Sequence, residues 1–282
     1  MNKELEEKLF KALMILSLAI VVSSFFAVLI VIVWNGLPGL TLSMITETPK
    51  GSFYLGGEGG ILNAIVGSLY LGIASTALAT VISVPAALSL QKEYLGKTRT
   101  AFYIRLALDV LWGTPSIVYG AFGFIVMIYL GLGASLLGGI IILTLLQLPV
   151  MIRAMEEVIV MVPAELKEAS YTLGASRTDT TFGVVVRQAL PGLITAVLLA
   201  FSRGIGDAAS VLFTAGYTDR LPESLFEPVA SLPLAVFFQL GMPYPEVQAR
   251  AYTSALVLLL IVLALSIASR YLAKKFRRNI LR

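Results

Sequence analysis

Two residue types with metal and redox chemistry are missing from this 282-residue sequence, which contains no cysteine and no histidine. Without cysteine, the chain can form no disulfide and offers no thiol nucleophile. Without either residue, it lacks the main ligands of zinc sites and of most haem sites. The composition therefore excludes several catalytic and metal-binding classes before any motif is considered.

Charge is also scarce, because only 13% of the residues are charged and 57% are hydrophobic. Soluble domains carry about 25% charged residues, which cover the surface of their cores. A mean hydropathy of +0.88 agrees with an integral membrane protein. The isoelectric point near 9.2 could suggest nucleic-acid binding, but the basic residues stand beside apolar runs. They indicate orientation in a membrane instead.

Six apolar runs are long enough to cross the hydrocarbon layer as helices, which takes about 20 residues each. The sequence therefore predicts an all-α integral membrane protein with six transmembrane helices in a single domain, residues 1–282. A shorter apolar run at 229–240 lies between prolines and predicts a re-entrant or interfacial helix. The predicted spans are 12–34, 62–90, 110–130, 132–153, 190–214 and 252–272.

Lysine and arginine predict how these spans are oriented, because cytoplasmic flanks carry the excess of positive charge. With the N-terminus inside, cytoplasmic segments hold all of the 21 basic residues except Lys50, Arg203, Arg220 and Arg250. Both termini are therefore predicted in the cytoplasm, in a multi-pass protein of the plasma membrane. The polar stretch 156–188 faces the cytoplasm as well.

One short motif resembles the end of a nucleotide-binding loop without completing it. Gly96, Lys97 and Thr98 match its last three positions, but Gln91 stands where the first glycine is required. A basic turn after the second span explains these residues better. If the chain takes part in pumping, another chain supplies the energy.

The fifth predicted span contains an arginine about 13 residues from its start, close to the middle of the membrane at about 1.5 Å per residue. Asp207 follows Arg203 by four residues, so an α-helix would place both side chains on one face as an ion pair. Such a pair either lines a wet pathway or holds two helices together. The glycines at 204 and 206 allow a helix or a solute to approach closely. Because a guanidinium can hold two oxygens at once, Arg203 points to an anion as cargo.

A second polar group opens the third span, where Thr114 and Pro115 are followed by Ser116 and Tyr119. A proline and hydroxyl groups at this position suit helix capping and close packing. The same hydroxyl groups could instead line a pathway. The sequence leaves both interpretations of Ser116 and Tyr119 open.

The cytoplasmic stretch predicts two short helices and a docking surface. Pro163 can begin the first helix, Gly174 can end it, and residues 175–186 can form the second. The break at 190–192, Leu-Pro-Gly, is predicted to open the fifth span. Charged and apolar residues alternate in a mixture more typical of a protein interface than of a lipid surface.

The order Glu168, Ala169, Ser170, three residues, Gly174 resembles the Glu-Ala-Ala coupling loop of ABC importer permeases. Ser170 replaces the second alanine of that pattern. The resemblance implies a type I ABC importer permease fold in which cytoplasmic coupling helices contact an ATPase. Glu168, Ala169, Ser170 and Gly174 are then the expected coupling residues.

More of the chain is similar to one branch of these permeases, the A-type subunit of phosphate importers. The similarity covers residues 61 to the C-terminus, with Asp207 where that branch usually has glutamate. It implies a core permease at 61–275 with the coupling loop at 156–188, preceded by the N-terminal span. The segments that carry the similarity are 105–111, 113–120, 202–209, 213–216 and 232–235.

The resemblance implies a transport subunit rather than an enzyme, with Arg203, Asp207, Ser116 and Tyr119 along the substrate pathway. Its implied partners are a second homologous permease, two ATPase subunits that bind ATP and Mg²⁺, an extracytoplasmic phosphate-binding protein and membrane lipid. The chain itself is expected to hold no cofactor, metal or nucleic acid. Another oxyanion such as molybdate or tungstate, an ATP-independent carrier, and a membrane enzyme are the alternatives.

Overall fold

The computed structural model describes residues 3–51 and 58–277 of the chain. Within these ranges the regular secondary structure is entirely helical, as predicted. The basic residues Arg278 and Arg282, which entered the prediction of a cytoplasmic C-terminus, lie outside the described residues. The helices are α1 (Lys3–Gly36), α2 (Leu42–Thr46), α3 (Leu62–Ser89), α4 (Arg99–Gly113), α5 (Ser116–Tyr129), α6 (Leu136–Val160), α7 (Ala164–Thr172), α8 (Arg177–Thr180), α9 (Val186–Ile205), α10 (Leu232–Leu240) and α11 (Pro245–Arg277).

The described helices include five that are long and apolar enough to cross a membrane, and six if the bent pair α4 and α5 counts as one span. The six-span prediction is confirmed in this sense. α3, α6 and α9 pack against one another in the centre, and α11 contacts α9, α10 and α1. In the most apolar stretch of α6, 72% of the residues are buried, against none in α1. α6 is therefore the central helix of the bundle.

The third span was predicted as one continuous helix over 110–130, which is wrong. The chain instead bends by 101° between α4 and α5, which we call the elbow. Pro115 has no N–H to donate and disfavours helical geometry in the residue before it. Thr114 accordingly has an extended backbone, with ψ of 129°. Hydropathy does not register this break, because residues on both sides of it are apolar.

The short connection after α5 makes α5 and α6 antiparallel neighbours. Gly131 has a positive φ of 69°, which a glycine tolerates at a tight turn. Farther along the two helices, a Cβ at Gly123 would collide with the side chain of Ile142, and one at Gly138 with Met127. Glycine on each helix therefore lets a large side chain of the other approach its backbone.

The fifth span was predicted over 190–214, and both ends are wrong. Helical structure runs without a break from Arg177 to Ile205 through a π-helical turn at Thr181–Val185. Pro191 lies inside α9 and is buried. At the next residue, a Cβ on Gly192 would collide with Val158 of α6. Close packing on α6 therefore holds the helix together where the Leu-Pro-Gly sequence predicted a break.

The chain after α9 folds back into the protein as irregular turns. The carbonyl of Thr214 accepts the Ser135 amide at 2.8 Å, and the carbonyl of Ala215 accepts the Val229 amide at 2.9 Å. Non-helical backbone at membrane depth requires such internal partners. The predicted short helix at 229–240 is observed as α10, capped by Ser231 and with Leu234 fully buried. Its burial favours a re-entrant helix over an interfacial one.

Candidate functional site

Arg203 lies in the last turn of α9 with an exposed side chain. The helix ends at Ile205, and Gly206 is its C-terminal cap. The last carbonyls of a helix have no helical partners and carry partial negative charge, so a cation in this turn is stabilised. Arg203 therefore stands at the end of a span and not, as predicted, in the middle of a helix of about 25 residues.

The predicted ion pair between Arg203 and Asp207 is wrong. No salt bridge within 4.0 Å joins the two among residues 58–277. The Asp207 carboxylate instead accepts the amide of Ser210 at 2.8 Å. Because the helix has already ended, the four-residue spacing no longer places the two side chains on one face. Asp207 shapes the turn that follows α9 and leaves the arginine without a carboxylate partner.

Tyr119 is buried on α5 and closes the elbow. Its hydroxyl donates at 2.8 Å to the carbonyl of Leu111 near the end of α4, which also accepts the amide of Thr114 at 3.1 Å. The charge of Arg203 is near enough to act electrostatically on the Tyr119 hydroxyl. The structure thus places Arg203 within electrostatic range of Tyr119.

Ser116 is the first residue of α5, and its side chain is half-buried beside the elbow. Its neighbour in the same helix, Gly120, packs directly on the turn after Arg203. A Cβ at Gly120 would stand 2.8 Å from the carbonyl oxygens of both Ala209 and Ser210. The elbow and the end of α9 therefore form one packed unit. That Ser116, Tyr119, Arg203 and Asp207 line a pathway stays a prediction.

A buried polar cluster beside this unit was missed at the sequence level. Gln147 of α6 is fully buried and is hydrogen-bonded to Ser75 and Thr76 of α3. A glutamine in the middle of a predicted span, where an amide needs internal partners, was the signal that could have found it. Its position against Gly204 links the cluster to Arg203.

A second missed cluster joins the middle of α4 to the C-terminal part of α6, and we call it the inner charge network. Arg105 contacts Glu156 at 2.7 Å and donates to the carbonyl of Leu90 at 2.8 Å. Arg153 contacts Asp109 at 2.6 Å and Glu156 at 3.4 Å. The nearly buried Glu156 carboxylate therefore forms ion pairs with two arginines. The network joins α4, α6 and the turn after α3.

The predicted coupling residues lie on α7 and at its end. Glu168, Ala169 and Ser170 are on α7, and Gly174 follows with a φ of 82°, which favours glycine. The first of the two predicted short helices and its glycine stop are thus confirmed, whereas its cytoplasmic location stays a prediction. The Ser170 hydroxyl is 2.9 Å from that of Thr180, which ties α7 to α8. That these four residues contact an ATPase stays a prediction.

α8 begins with a reciprocal cap. The Ser176 side chain accepts the Asp179 amide, while the Asp179 carboxylate accepts from both the hydroxyl and the amide of Ser176. These hydrogen bonds favour the ionised carboxylate and hold the pKa of Asp179 below its ordinary value. The second cytoplasmic helix was predicted, but it does not stop at 186, because it continues through the π-helical turn into α9.

The turn between α3 and α4 anchors both cytoplasmic helices. Lys167 of α7 contacts the Glu93 carboxylate at 3.0 Å, and Arg177 of α8 donates to the Glu93 carbonyl at 3.1 Å. Partial burial, the largest single influence, raises the pKa of Glu93. The hydrogen bond from Lys167, a backbone hydrogen bond and the charges of Lys167 and Lys92 together outweigh it, so the pKa lies below its ordinary value. The Tyr94 hydroxyl adds a contact to Thr181 at 2.9 Å. The cytoplasmic surface is therefore fixed to the bundle at several points.

Taken together, the bundle of apolar spans and the short helices α7 and α8 anchored to it define a multi-pass membrane protein. The model of the family described as binding-protein-dependent transport system inner membrane component matches residues 79–278. The chain belongs to this family of ABC importer permeases, and the resemblance stated from its motifs is confirmed.

Relatives agree with this assignment. The chain is 33% identical over 288 residues to the probable ABC transporter permease protein YqgI of Bacillus subtilis, covering 96% of each chain. It is 33% identical to the phosphate transport system permease protein PstA of Yersinia pestis, covering 86% of this chain and 81% of the relative. Against PstA 1 of Mycobacterium tuberculosis, the identity is 35%, over 78% of this chain and 72% of the relative.

Solved structures support the fold. The MetNI methionine ABC transporter, in an inward-facing conformation, superimposes with a TM-score of 0.64 at 17% identity over 77% of this chain and 95% of that one. An amino acid ABC transporter with histidines gives a TM-score of 0.56 at 15% identity over 78% and 94%. The predicted type I ABC importer permease fold is therefore confirmed.

Proposed function

We propose that this chain is a transmembrane subunit of an ATP-driven importer that carries inorganic phosphate into the cell, forming half of its pathway. The observation that carries the proposal is that the exposed guanidinium of Arg203 has no carboxylate partner among the described residues. Within the described part of the chain, no carboxylate lies within 4.0 Å of its guanidinium. A cation on a membrane span is costly unless it faces a wet pathway or a counter-ion. An anion in transit would provide such a counter-ion.

Phosphate is the proposed anion for two reasons. The forked donors of a guanidinium match two oxygens of a tetrahedral oxyanion. Several relatives also carry the name of phosphate transport permeases, at 29–35% identity. In this proposal Arg203 makes a transient contact with the anion, and the Tyr119 hydroxyl, Ser116 and Asp207 shape the surroundings of that contact.

The remaining parts of the machine are proposed from the family. A second homologous permease completes the pathway, and an extracytoplasmic phosphate-binding protein delivers the anion. Two cytoplasmic ATPase subunits, which hold ATP and Mg²⁺, dock on α7 and α8, with Glu168, Ala169, Ser170 and Gly174 at the contact. The chain is then a transport subunit and not itself an enzyme, with both termini in the cytoplasm. The exposed position of α7, which has no buried residue, supports this docking.

Phosphate uptake by the reconstituted transporter tests the proposal. Arg203→Gln is expected to lower uptake per assembled complex by about ten-fold or more, because a charge-assisted contact is lost. Arg270→Gln is the matched control, since Arg270 is exposed at the inner end of α11 and should leave uptake unchanged. Undiminished uptake by the assembled Arg203→Gln complex would refute the anion contact.

Anion identity needs a separate measurement. Excess molybdate and tungstate are offered as competitors of labelled phosphate uptake. We expect neither to compete at concentrations where unlabelled phosphate does. Strong competition by either anion would reassign the cargo. Phosphate uptake in the absence of ATP would indicate that the chain is an autonomous carrier.

A further inference from the structure

A single buried amide joins three helices beside Arg203. Gln147 of α6 has 0% of its surface exposed. Its Oε1 accepts the Thr76 hydroxyl at 2.9 Å, and its Nε2 donates to the Ser75 hydroxyl at 3.0 Å. Both partners are buried on α3. Because one helix satisfies both ends of the amide, the orientation of the Gln147 side chain is fixed.

The same amide rests on the backbone of α9. A Cβ at Gly204 would collide with Nε2 of Gln147 and would stand 3.0 Å from its Cδ. Only glycine therefore leaves room for the amide at this position, and Gly204 is itself buried. The next residue toward the N-terminus is Arg203. The contact thus lies one peptide unit from the proposed anion-binding side chain.

The scaffold behind the amide is also held by hydrogen bonds. The Ser75 hydroxyl lies 3.3 Å from the Gly72 carbonyl. The Thr144 hydroxyl of α6 donates to the Ile140 carbonyl at 2.7 Å and lies 3.3 Å from the Ser75 carbonyl. α3 and α6 are therefore linked by polar contacts one helical turn apart on α6. In an otherwise apolar layer, directional contacts of this kind specify how helices are positioned, because apolar packing alone permits sliding and rotation.

We propose that Gln147 is a positioning residue for Arg203. Its amide, held by Ser75 and Thr76, fixes the height and rotation of the last turn of α9 by packing on Gly204. This packing would in turn set where the backbone that carries Arg203 stands relative to the elbow. This inference rests on the proposed role of Arg203 in anion passage. It adds a residue that never touches the anion but sets where the guanidinium stands.

The test uses the complete reconstituted transporter with its ATPase and binding protein, and measures phosphate transported per ATP hydrolysed. Gln147→Met keeps most of the side-chain volume and removes both hydrogen bonds. We expect the ratio to fall by about ten-fold, since displacing a group by about 1 Å can cost as much as 100-fold. Gly204→Ala is expected to lower it similarly, because its Cβ displaces the amide.

Two controls separate positioning from general destabilisation. Gln239→Met removes another buried glutamine, which lies on α10. Its amide donates to the Tyr217 hydroxyl at 2.9 Å. Gly241→Ala adds a Cβ where no atom lies within 4 Å. Either control can alter the yield of the complex, but the ratio of phosphate to ATP should stay at the wild-type value.

The decisive measurement combines Gln147→Met with Arg203→Gln. If Gln147 acts through Arg203, the double variant transports no less phosphate per ATP than Arg203→Gln alone. A further, additive fall would overturn the inference, as would wild-type ratios in both Gln147→Met and Gly204→Ala. If Arg203→Gln itself keeps the wild-type ratio, the proposed anion contact fails and this inference with it. Loss in Arg203→Gln with normal Gln147→Met leaves the proposed function intact and overturns the inference alone.

Discussion

The inner charge network and the end of α9 place arginine in opposite environments. Arg105 and Arg153 are surrounded by Glu156 and Asp109 at distances of 2.6 to 3.4 Å. Arg203 has an aromatic hydroxyl and the end of a helix nearby, but no carboxylate within 4.0 Å among the described residues. A compensated charge joins helices, whereas an uncompensated one is available to a ligand. The difference is what assigns a structural role to Arg105 and Arg153 and, in the proposed function, an anion contact to Arg203.

The largest effect on stability is expected at the centre of the network. Glu156→Gln leaves two arginines facing a neutral amide, and breaking a buried ion pair costs about 3–5 kcal/mol. We expect the lower end of that range, because the side chains of Arg105 and Arg153 remain 31% and 26% exposed. Thermal unfolding in detergent measures the loss.

Two further variants serve as comparisons for the unfolding of Glu156→Gln. Glu157→Gln changes the exposed neighbouring carboxylate and should leave unfolding unchanged. Arg203→Gln should lower the unfolding midpoint by much less than Glu156→Gln, since no ion pair is broken and only the interaction of about 0.3–1 kcal/mol with the end of α9 is lost. A drop for Arg203→Gln as large as that for Glu156→Gln would erase the distinction between the two kinds of arginine.

The next effect concerns the packing that keeps the elbow against the end of α9. Gly120→Ala places a Cβ 2.8 Å from two backbone carbonyl oxygens, and overpacking of this kind costs about 1–3 kcal/mol. Gly113→Ala, at a position with no atom within 4 Å of the added Cβ, is the control. Equal unfolding midpoints for the two variants would show that the elbow accommodates the added Cβ without loss of stability.

A smaller loss is expected at the exposed edge of the inner charge network. Asp109→Asn removes the carboxylate from Arg153, but the Asp109 side chain is 49% exposed, so solvent screens the pair. We expect a loss of about 0.2–1 kcal/mol that shrinks as salt is added. Denaturant unfolding at two salt concentrations measures it. A loss independent of salt would mean that the hydrogen-bond geometry and not the charge matters.

The smallest effect depends on pH and concerns Lys167 and Glu93. The pKa of Glu93 is lowered below its ordinary value of 4.5, so the contact stabilises the fold above that pH and is lost as the pH falls through the folded-state pKa. Lys167→Met should cost about 0.5 kcal/mol at neutral pH and nothing in strong acid. Unfolding midpoints of the two proteins are compared from pH 7 downward, and curves that stay parallel throughout would contradict the assignment.

Much of the fold could be predicted because it follows from local rules. Hydropathy located the central spans, and Pro163 and Gly174 marked the ends of α7, since both residues act on their own backbone. The Arg203 and Asp207 pair could not be predicted correctly, because the spacing was interpreted on a helix that ends two residues before the carboxylate. Gln147 escaped notice because its importance depends on Gly204, which is distant in sequence.

Composition and order of residues alone determined that this chain lies in a membrane, that it lacks thiol and imidazole chemistry, and that it carries a permease coupling motif. These properties follow from apolar length, from absent residue types and from short-range spacing. Only the tertiary structure decided that the chain bends at Pro115 yet not at Pro191, and that Asp207 turns away from Arg203. The reason is physical. Packing of α9 on α6 keeps the helix continuous through Pro191, whereas the residues on either side of Pro115 form their contacts in a bent arrangement.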